Sequence, residues 1–233
     1  MKLKSVIATI RNRLGSVEDP RRELYLKGSL LGKDSENPWI RKSATIEGWL
    51  YEGEPELLWE MATQSREGQI LEIGSWMGKS ACILAGACRE FAPETRLFCV
   101  DPFSMSGTAR DLEFYREIFS REMTSTFEKF CANAERLEFR DFVIPVATLS
   151  GQALPFFKTT LRLAFIDGAH DYLNAKRDAE LVLPLIQKGG FIAFHDVHSE
   201  AYPDLQQLMT ELGERADLKF YKSAGTMVAF QKN

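Results

Sequence analysis

Residues 69–80 read QILEIGSWMGKS, and this stretch decides the fold class. It contains the largely apolar run Ile70–Ile73, which is typical of a strand buried on both faces of a sheet. Gly74 and Gly78 follow, and residues 79–85 then read KSACILA, a helical sequence. A strand, a glycine turn and a helix form the first half of a βαβ unit, where backbone N–H groups approach a ligand closely. We therefore predict a nucleotide-type ligand here; the alternative is an ordinary strand-to-helix loop.

The alternation of strands and helices continues to the end of the chain. The predicted buried strands are 70–73, 96–100, 142–146, 161–166 and 190–194. Two more strands, 218–221 and 226–230, are separated only by Lys222–Gly225, which predicts an antiparallel hairpin. Helices are predicted at 55–64, from Gly78 to about 91, at 109–136, from Tyr172 and at 204–212. The sequence therefore predicts a Rossmann-like, doubly wound α/β fold whose parallel sheet ends in a hairpin.

The predicted helix from Tyr172 shows the clearest helical periodicity in the second half of the chain. Its apolar stripe, at spacings of three and four residues, consists of Tyr172, Ala175, Ala179, Val182 and Ile186. Pro184 lies within this stripe and is expected to end or kink the helix.

The N-terminal residues lack the alternation of the rest of the chain. We predict a helical arm or lid at 1–52 and the main domain at 53–233, a length sufficient for one large α/β core. The basic N-terminus, MKLKSVIATIRNRLG, is typical of an amphipathic helix rather than a signal peptide. No apolar run approaches the roughly 20 residues that a transmembrane helix needs.

Charge and cysteine content narrow the class of partner and the compartment. The net charge of −4 favours neither nucleic acid nor an anionic membrane as a partner. The four cysteines show no CxxC spacing, so we predict small core residues rather than metal ligands or disulfides. These features predict a cytoplasmic protein.

Polar side chains gather where the predicted parallel strands end, which is where open α/β sheets bind ligands. The residues at these ends are Glu72, Gly74, Asp101, Thr148 to Ser150, Asp167, His170, His195, Asp196 and His198. Taken singly, each acid is expected to be a helix cap or turn residue, and each histidine a structural one. Because all three histidines fall at two strand ends, the joint pattern favours an active site.

The glycine spacing distinguishes between two kinds of nucleotide. Asp101, at the end of the second strand, can accept both hydroxyls of a ribose, which fits a nucleoside and NAD alike. The loop reads G-x-x-x-G after Glu72, not the dinucleotide pattern G-x-G-x-x-G. Trp76 stands where a pyrophosphate would need the middle glycine. The sequence therefore favours a ligand without a pyrophosphate.

Four segments together resemble one family. EIGSWMGKS, VDPF, FIDGAHDY and GGFIAFHD, in this order, resemble the class I S-adenosylmethionine-dependent methyltransferases. The branch is the one that contains macrocin-type sugar O-methyltransferases and cephalosporin-hydroxylase-like proteins, and the resemblance covers about residues 49–230. It implies a seven-stranded, mostly parallel sheet with an antiparallel last strand.

The resemblance also implies residues that bind S-adenosylmethionine. Its loop positions, around the methionine part of the cofactor, are Glu72, Gly74, Ser75 and Gly78, and Ser80 is a further cofactor-binding position. Asp101 matches the ribose-binding acid and Phe103 a position near the adenine. Ser150 matches an adenine-side position in a motif that usually reads Gly-Asp-Ser, whereas this chain has Thr148-Leu149-Ser150.

The resemblance to metal-dependent members of this branch implies a divalent ion, magnesium or manganese, bound by Asp167, His195 and Asp196. His170 then corresponds to the general base, so that Asp167 and His170 are the implied catalytic pair. The first residue of the pair after the fifth strand is usually an acid, and His195 replaces it here. A histidine ligand favours manganese, iron or zinc over magnesium. Alternatively, His195 does not bind the metal, and His198 is a further candidate for ligand or base.

Together these features predict S-adenosylmethionine-dependent, metal-assisted O-methylation of a sugar or natural-product hydroxyl. Trp39, Trp49, Tyr51 and residues 105–121 are candidates to line the acceptor pocket, and exposed aromatics in the arm suggest a homodimer. One alternative is a nicotinamide-dependent oxidoreductase, which should show the dinucleotide glycine pattern. Another is a non-catalytic nucleoside-binding protein of the same fold, which would not need the strand-end residues.

Overall fold

The computed structural model describes residues 31–104, 125–199 and 202–233. Its strands are β1 (Gln69–Ile73), β2 (Leu97–Val100), β3 (Val143–Val146), β4 (Leu161–Ile166), β5 (Ile186–Phe194), β6 (Leu218–Ala224) and β7 (Met227–Lys232). The helices are α1 (Pro38–Ser43), α2 (Glu54–Thr63), α3 (Lys79–Phe91), α4 (Phe127–Arg136), α5 (Ser150–Ala153), α6 (Tyr172–Val182) and α7 (Leu205–Gly213). All seven predicted strands are present.

The strands form one sheet in the order β3-β2-β1-β4-β5-β7-β6. β1 to β5 pair in parallel, whereas β7 is antiparallel to both of its neighbours. The predicted doubly wound, seven-stranded sheet with an antiparallel last strand is therefore confirmed. The chain leaves β1 toward one edge and continues from β4 toward the other, so the switch point, where such sheets bind ligands, lies between β1 and β4.

Helices cover both faces of this sheet because the side chains of the central strands alternate between two apolar layers. Ile70 and Phe165 belong to the layer that includes residues of α1 to α4. Leu71 and Ile166 belong to the opposite layer, with residues of α6 and α7. A strand with apolar side chains on both faces is stable only in such a sandwich, and this accounts for the continuous apolar runs in the sequence.

Several boundaries differ from the sequence-based prediction. The strand β6 extends to Ala224, so only Gly225 and Thr226 connect it to β7, and the largest difference is at the start of β5. The helix α6 ends at Val182, Pro184 lies in a 3₁₀ turn at Leu183–Leu185, and β5 begins at Ile186 rather than 190. The assignment of Ile186 to the helical stripe is therefore wrong. Proline lacks the N–H that the helix needs, so the chain changes conformation there and Ile186 joins the sheet.

The predicted N-terminal arm lies partly outside the described residues, which begin at 31. The helix α1, which sequence reasoning missed, has Asn37 as its cap, whose side chain accepts hydrogen bonds from the backbone N–H groups of Trp39 (2.9 Å) and Ile40 (3.4 Å). Trp39 is buried against α3, where only a glycine, Gly86, leaves room for its ring. The boundary at residue 52 stays a prediction. The predicted helix at 109–136 also lies partly outside the described residues, with α4 as the described part.

Two predictions from composition concern cysteines and membranes. All four cysteines are free. The prediction as small core residues is confirmed for Cys82, Cys88 and Cys99, whereas Cys131 is only partly buried against the core. Within the described ranges, no helix combines the length and the apolar character that crossing a membrane requires.

Backbone hydrogen bonds continue the parallel ladder one residue beyond the strands. The N–H of Gly74 donates to the carbonyl of Val100 (3.0 Å), that of Asp167 to Ile73 (2.8 Å) and that of His195 to Ile166 (3.0 Å). Gly74 has a φ of +87°, and a Cβ there would lie 2.0 Å from the carbonyl oxygen of Asp167. Only glycine allows this approach, which holds the end of β1 against the end of β4.

This contact predicts a large difference between two glycine-to-alanine substitutions. Gly74→Ala should lower the free energy of unfolding by about 3 kcal/mol, or prevent folding, because it combines a backbone clash with a left-handed φ. Gly213→Ala, at the end of α7, meets no atom closer than 4.0 Å. This control should be neutral or stabilising by up to about 1 kcal/mol. Urea denaturation measures both, and equal stability of the two variants would contradict the role of Gly74.

Candidate active site

The glycine loop after β1 and the acid after β2 form one hydrogen-bonded unit. The backbone N–H groups of Ser75 and Trp76 donate to Oδ2 of Asp101 (2.8 and 2.9 Å), and that of Phe103 donates to Oδ1 (2.6 Å). Burial raises the pKa of Asp101, and these three bonds oppose the rise. Of the roughly four acceptor positions of a carboxylate, three are used, and about one remains on Oδ1. Asp101 therefore shapes the loop and keeps capacity for one further donor.

Glu72 is a buried acid beside this loop. Its side chain is fully buried, and within the described part of the chain neither carboxylate oxygen accepts a hydrogen bond. Burial raises the pKa of Glu72 to about 7, and the nearby hydroxyls of Ser75 and Ser80 offset part of the rise. Since a buried carboxylate without a partner costs stability, its presence indicates a ligand with a positive charge or a hydrogen-bond donor.

Aromatic side chains pack against the glycine loop on its core side. Gly78, with a φ of +90°, is the N-cap of α3, and a Cβ there would lie 3.1 Å from the ring of Phe130. The ring of Phe103 packs against Phe127 and Phe130 with centroids 5.1 and 5.3 Å apart, so the structure places Phe103 in the core. Its predicted contact with adenine stays a prediction. So does that of Ser150, which begins the short helix α5.

A cluster of carboxylates and histidines lies at the ends of β4 and β5. Oδ1 of Asp167 lies 3.2 Å from Nδ1 of His195 and 3.6 Å from Nε2 of His170. Oδ2 of Asp196 lies 3.3 Å from each of the same two nitrogens. The structure thus brings the predicted metal ligands and the predicted base together. Asp167, His170 and Asp196 also form a set whose ligand atoms all lie within 4.8 Å of one another.

The two histidines of the cluster have different surroundings. The side chain of His195 is 1% exposed, with Tyr51 stacked on its ring and Phe165 at its edge, whereas that of His170 is 14% exposed. Burial alone would lower the pKa of His195, but Asp167, Glu54 and Asp196 raise it well above its usual value. His198 is exposed, and no ion pair between the described residues places it in the cluster.

Asp196 reaches the cluster through an unusual backbone conformation. Its φ of +59° lies in the left-handed region, which asparagine and aspartate enter more readily than most side chains. Its N–H donates to Oγ1 of Thr226 (3.2 Å) in the β6–β7 turn. The hairpin that closes the sheet therefore also holds one of the site carboxylates.

Sequence reasoning missed Glu54, the first residue of α2. Its carboxylate lies 2.9 Å from Nε2 of His195 and is fully buried. The sequence contained an indication of its burial. Glu54 lies on the same face of α2 as Leu57, Leu58 and Met61. An acid on such an apolar face is expected to be buried and to have hydrogen-bond or ion-pair partners. The sequence gave no indication that Thr226 on the hairpin is a partner of Glu54, because their contact depends on how α2 packs against the β6–β7 hairpin.

The aromatic residues proposed for the acceptor pocket separate into two groups. Tyr51 stacks on His195, with ring centroids 5.9 Å apart, and Trp49 lies 6.4 Å from Trp76 of the glycine loop. Trp39, in contrast, packs in the core beside α3. Of residues 105–121 the structure describes none. Tyr51 and Trp49 thus lie next to the cluster and the loop.

Lys79 connects this aromatic segment to the loop. It is buried, and its Nζ donates to the backbone carbonyls of Ser43 (3.3 Å) and Ile46 (3.1 Å). Burial lowers the pKa of Lys79 to about 7. The side chain that follows Gly78 therefore holds the backbone that leads to Trp49 and Tyr51.

Comparison with solved structures places this architecture among the methyltransferases. The O-methyltransferase NovP superposes with a TM-score of 0.63 at 18% identity, over 76% of this chain and 78% of that one. The O-methyltransferase from Bacillus cereus, solved with SAH, gives 0.61 at 14% identity, over 91% and 99%. TomG from Streptomyces achromogenes, an O-methyltransferase solved with SAM, gives 0.59 at 18% identity, over 93% and 99%. At these identities the likeness shows the fold, which is that of the class I methyltransferases.

The sequence itself gives the family. Residues 71–197, more than half of the chain, match the family described as "Methyltransferase domain". The chain belongs to this family. The matched segment extends from β1 to just beyond Asp196, and Glu54 and Thr226 lie outside it.

The buried Glu72 predicts a stability that depends on pH. Its folded pKa of about 7 exceeds the unfolded value near 4.5, so the folded state binds more protons and loses stability as pH rises through this window. Glu72→Gln should match the wild type near pH 4.5 and exceed it by about 2–3 kcal/mol at pH 8. Urea denaturation at both pH values measures the difference. Glu56→Gln, an exposed acid on α2, is the control, and a gain independent of pH would contradict the assignment.

Proposed function

We propose that this protein transfers a methyl group from S-adenosylmethionine to a hydroxyl of a small molecule, with a divalent metal ion at the carboxylate–histidine cluster. The observation that carries the proposal is the backbone contact between Gly74 and Asp167. It places the glycine loop directly beside the cluster. Methyl transfer in one step needs donor and acceptor in contact and in line, and two adjacent sites at one sheet edge meet that need.

The loop side fits the donor. S-adenosylmethionine carries an ammonium and a sulfonium group, and the buried, unpaired oxygens of Glu72 and Ser75 fit a cationic ligand. Asp101 keeps about one acceptor position for a ribose hydroxyl. Trp76 occupies the position at which a dinucleotide needs glycine, which supports a mononucleoside cofactor over NAD.

The cluster side fits a metal ion. Asp167 and Asp196 supply carboxylate oxygens and His195 an imidazole nitrogen, a donor set that suits manganese, iron or zinc better than magnesium. A bound ion of this kind stabilises the oxyanion that forms when a hydroxyl loses its proton. The buried His195 and the two carboxylates hold fixed positions, since they come directly after the ends of β4 and β5.

His170 is the proposed general base. Its Nε2 faces the same two carboxylate oxygens, and its side chain is more exposed than that of His195, so an acceptor can reach it. Imidazole exchanges protons near neutral pH, which suits removal of a hydroxyl proton. Its ring packs against Tyr202, with centroids 4.3 Å apart, and this contact restricts its orientation.

The proposed acceptor is a hydroxyl group on a sugar or on another natural-product molecule. Tyr51 beside His195, and Trp49 beside Trp76, offer flat apolar surfaces on which a sugar or aromatic ring can pack. The neighbour TomG is described as involved in tomaymycin synthesis, which supports a natural-product acceptor by analogy alone.

The cofactor assignment predicts a selective binding experiment. Isothermal titration calorimetry should show S-adenosylhomocysteine and S-adenosylmethionine binding to the wild type, and no heat for NAD. Glu72→Gln should weaken S-adenosylmethionine binding at least tenfold, because it removes the buried negative charge, while Glu56→Gln should leave it unchanged. Binding of NAD in place of the methionine nucleosides would support the oxidoreductase alternative, and binding of neither would support a protein without catalysis.

The metal and base assignments predict different losses in two variants. Asp196→Asn should lower Mn²⁺ affinity at least thirtyfold in calorimetry on chelator-treated protein, because it removes a charged ligand. His170→Gln should keep Mn²⁺ affinity within threefold and lower the rate of S-adenosylhomocysteine formation 10²–10⁴-fold with a panel of sugar and phenolic acceptors. Loss of Mn²⁺ binding in His170→Gln would make His170 a ligand instead. Full activity of the wild type in EDTA would contradict the proposal that the reaction needs a bound metal ion.

A further inference from the structure

The carboxylate of Glu54 is surrounded by hydrogen-bond donors. Its Oε1 lies 2.7 Å from the backbone nitrogen of Thr226 and 2.9 Å from the hydroxyl of the same residue. Its Oε2 lies 2.6 Å from the backbone nitrogen of Tyr51 and 2.9 Å from Nε2 of His195. Each oxygen thus faces one backbone N–H, a group that can only donate. Both oxygens must therefore accept, as they do in an ionised carboxylate.

This arrangement determines which nitrogen of His195 carries hydrogen. An ionised carboxylate cannot donate, so the contact between Glu54 and Nε2 needs a hydrogen on Nε2. In the neutral imidazole the lone pair is then on Nδ1. Nδ1 is buried, and it lies 3.2 Å from Oδ1 of Asp167 and 3.3 Å from Oδ2 of Asp196.

These three atoms repel one another unless a cation lies between them, either a proton on Nδ1 or a metal ion that takes its place. Neighbouring ligands are about 3.4 Å apart around a tetrahedral ion with bonds of about 2.1 Å, and about 3.0 Å apart around an octahedral one. The measured separations of Nδ1 from the two oxygens fall between these values. Both separations from Nδ1 are therefore within the range found between neighbouring ligands of one ion.

We infer that Glu54 is a positioning residue, which holds the hydrogen of His195 on Nε2 and so presents Nδ1 as a metal ligand. A carboxylate that orients a ligating histidine in this way also raises the basicity of the ligand. The inference rests on the metal site of the proposed function and adds to it a residue outside the matched segment 71–197.

The closing hairpin supports this role. Gly225, with a φ of +53°, leaves room for Glu54, since a Cβ there would lie 2.6 Å from Oε1. The hydroxyl of Thr226 contacts Glu54 and also accepts the N–H of Asp196. One turn of the hairpin therefore holds both the partner of His195 and a second proposed ligand, which fixes their relative positions.

A structural role for Glu54 gives a different expectation. Glu54 begins α2 and accepts the N–H of Tyr51, as an acid at a helix N-terminus does. A residue that only stabilised α2 would change stability without changing the metal site. The test therefore reads metal affinity, the electronic spectrum of the bound metal and the hydrogen position on His195.

The first experiment compares Glu54→Gln with Glu60→Gln. Glu60 lies on the same helix and bonds Lys222 on β6, but away from the cluster, so it is a matched control. Calorimetry with Mn²⁺ should show a 10–100-fold weaker affinity for Glu54→Gln and no change for Glu60→Gln. The visible spectrum of bound Co²⁺ should change in Glu54→Gln alone, and S-adenosylhomocysteine affinity should stay within twofold in both.

A second pair of variants tests whether Glu54 acts through His195. In His195→Asp, the ligand no longer needs a hydrogen position to be set, so adding Glu54→Gln should change Mn²⁺ affinity by less than threefold. The same loss in both backgrounds would overturn the inference. Unchanged Mn²⁺ affinity and Co²⁺ spectrum in the single variant Glu54→Gln would also overturn it, while leaving the metal site in place.

The wild-type protein provides a test that does not depend on folding of the variants. Long-range ¹H–¹⁵N NMR of the histidine rings, assigned with His195→Gln, should show hydrogen on Nε2 and a shift of Nδ1 when Zn²⁺ is added. Hydrogen on Nδ1 in the presence of Zn²⁺ would overturn the inference. Absence of Mn²⁺, Co²⁺ and Zn²⁺ binding to the wild type would instead contradict the metal site of the proposed function.

Discussion

The close contact between the end of β1 and the end of β4 is the constraint on which the rest of the site depends. Gly74 allows it, because any side chain there would meet the carbonyl of Asp167. The contact brings the chain's glycine loop and its carboxylate cluster to one point of the sheet edge. If a side chain at position 74 pushed the ends of β1 and β4 apart, Glu72 and Asp101 would lie farther from Asp167. Backbone geometry, rather than a side-chain interaction, thus sets the distance between the two halves of the proposed active site.

The parts of this site that could be predicted lie on continuous strands. A run of apolar residues indicates a buried parallel strand, and parallel strands end at one edge, so Asp101, Asp167 and His195 could be grouped from sequence alone. Glu54 could not, because its contact with His195 depends on docking α2 against the β6–β7 hairpin, far away in sequence. The burial of Phe103 could not be predicted either, because the side chain of a residue just after a strand can face either the ligand or the core.

The buried acids near the glycine loop lower the stability of the fold and are suited to bind a positively charged ligand. Glu72 is fully buried and Asp101 is partly buried beside the glycine loop, and burial raises the pKa of both. Glu72 has no partner for its charge within the described residues. Acids in such surroundings destabilise the fold, and proteins retain them where a ligand supplies the missing partner. The two positively charged groups of S-adenosylmethionine would supply it, so the cost of burying Glu72 is consistent with its proposed use.

The resemblance implies an acid at position 195, and the histidine there places a nitrogen where the acid would supply an oxygen. An acid at this position, together with Asp167 and Asp196, would give three negative charges. Here Asp167 and Asp196 contribute two, and Glu54, in contact with the far side of His195, contributes the third. In the proposed site, Glu54 would act on a divalent cation through the imidazole ring of His195, whose Nδ1 it makes more basic. The donor atom governs which metal is preferred and the residue behind it governs how strongly that atom binds, so a histidine–glutamate pair separates the two properties. On this argument, Glu54 and His195 are one functional unit, and neither has its role without the other.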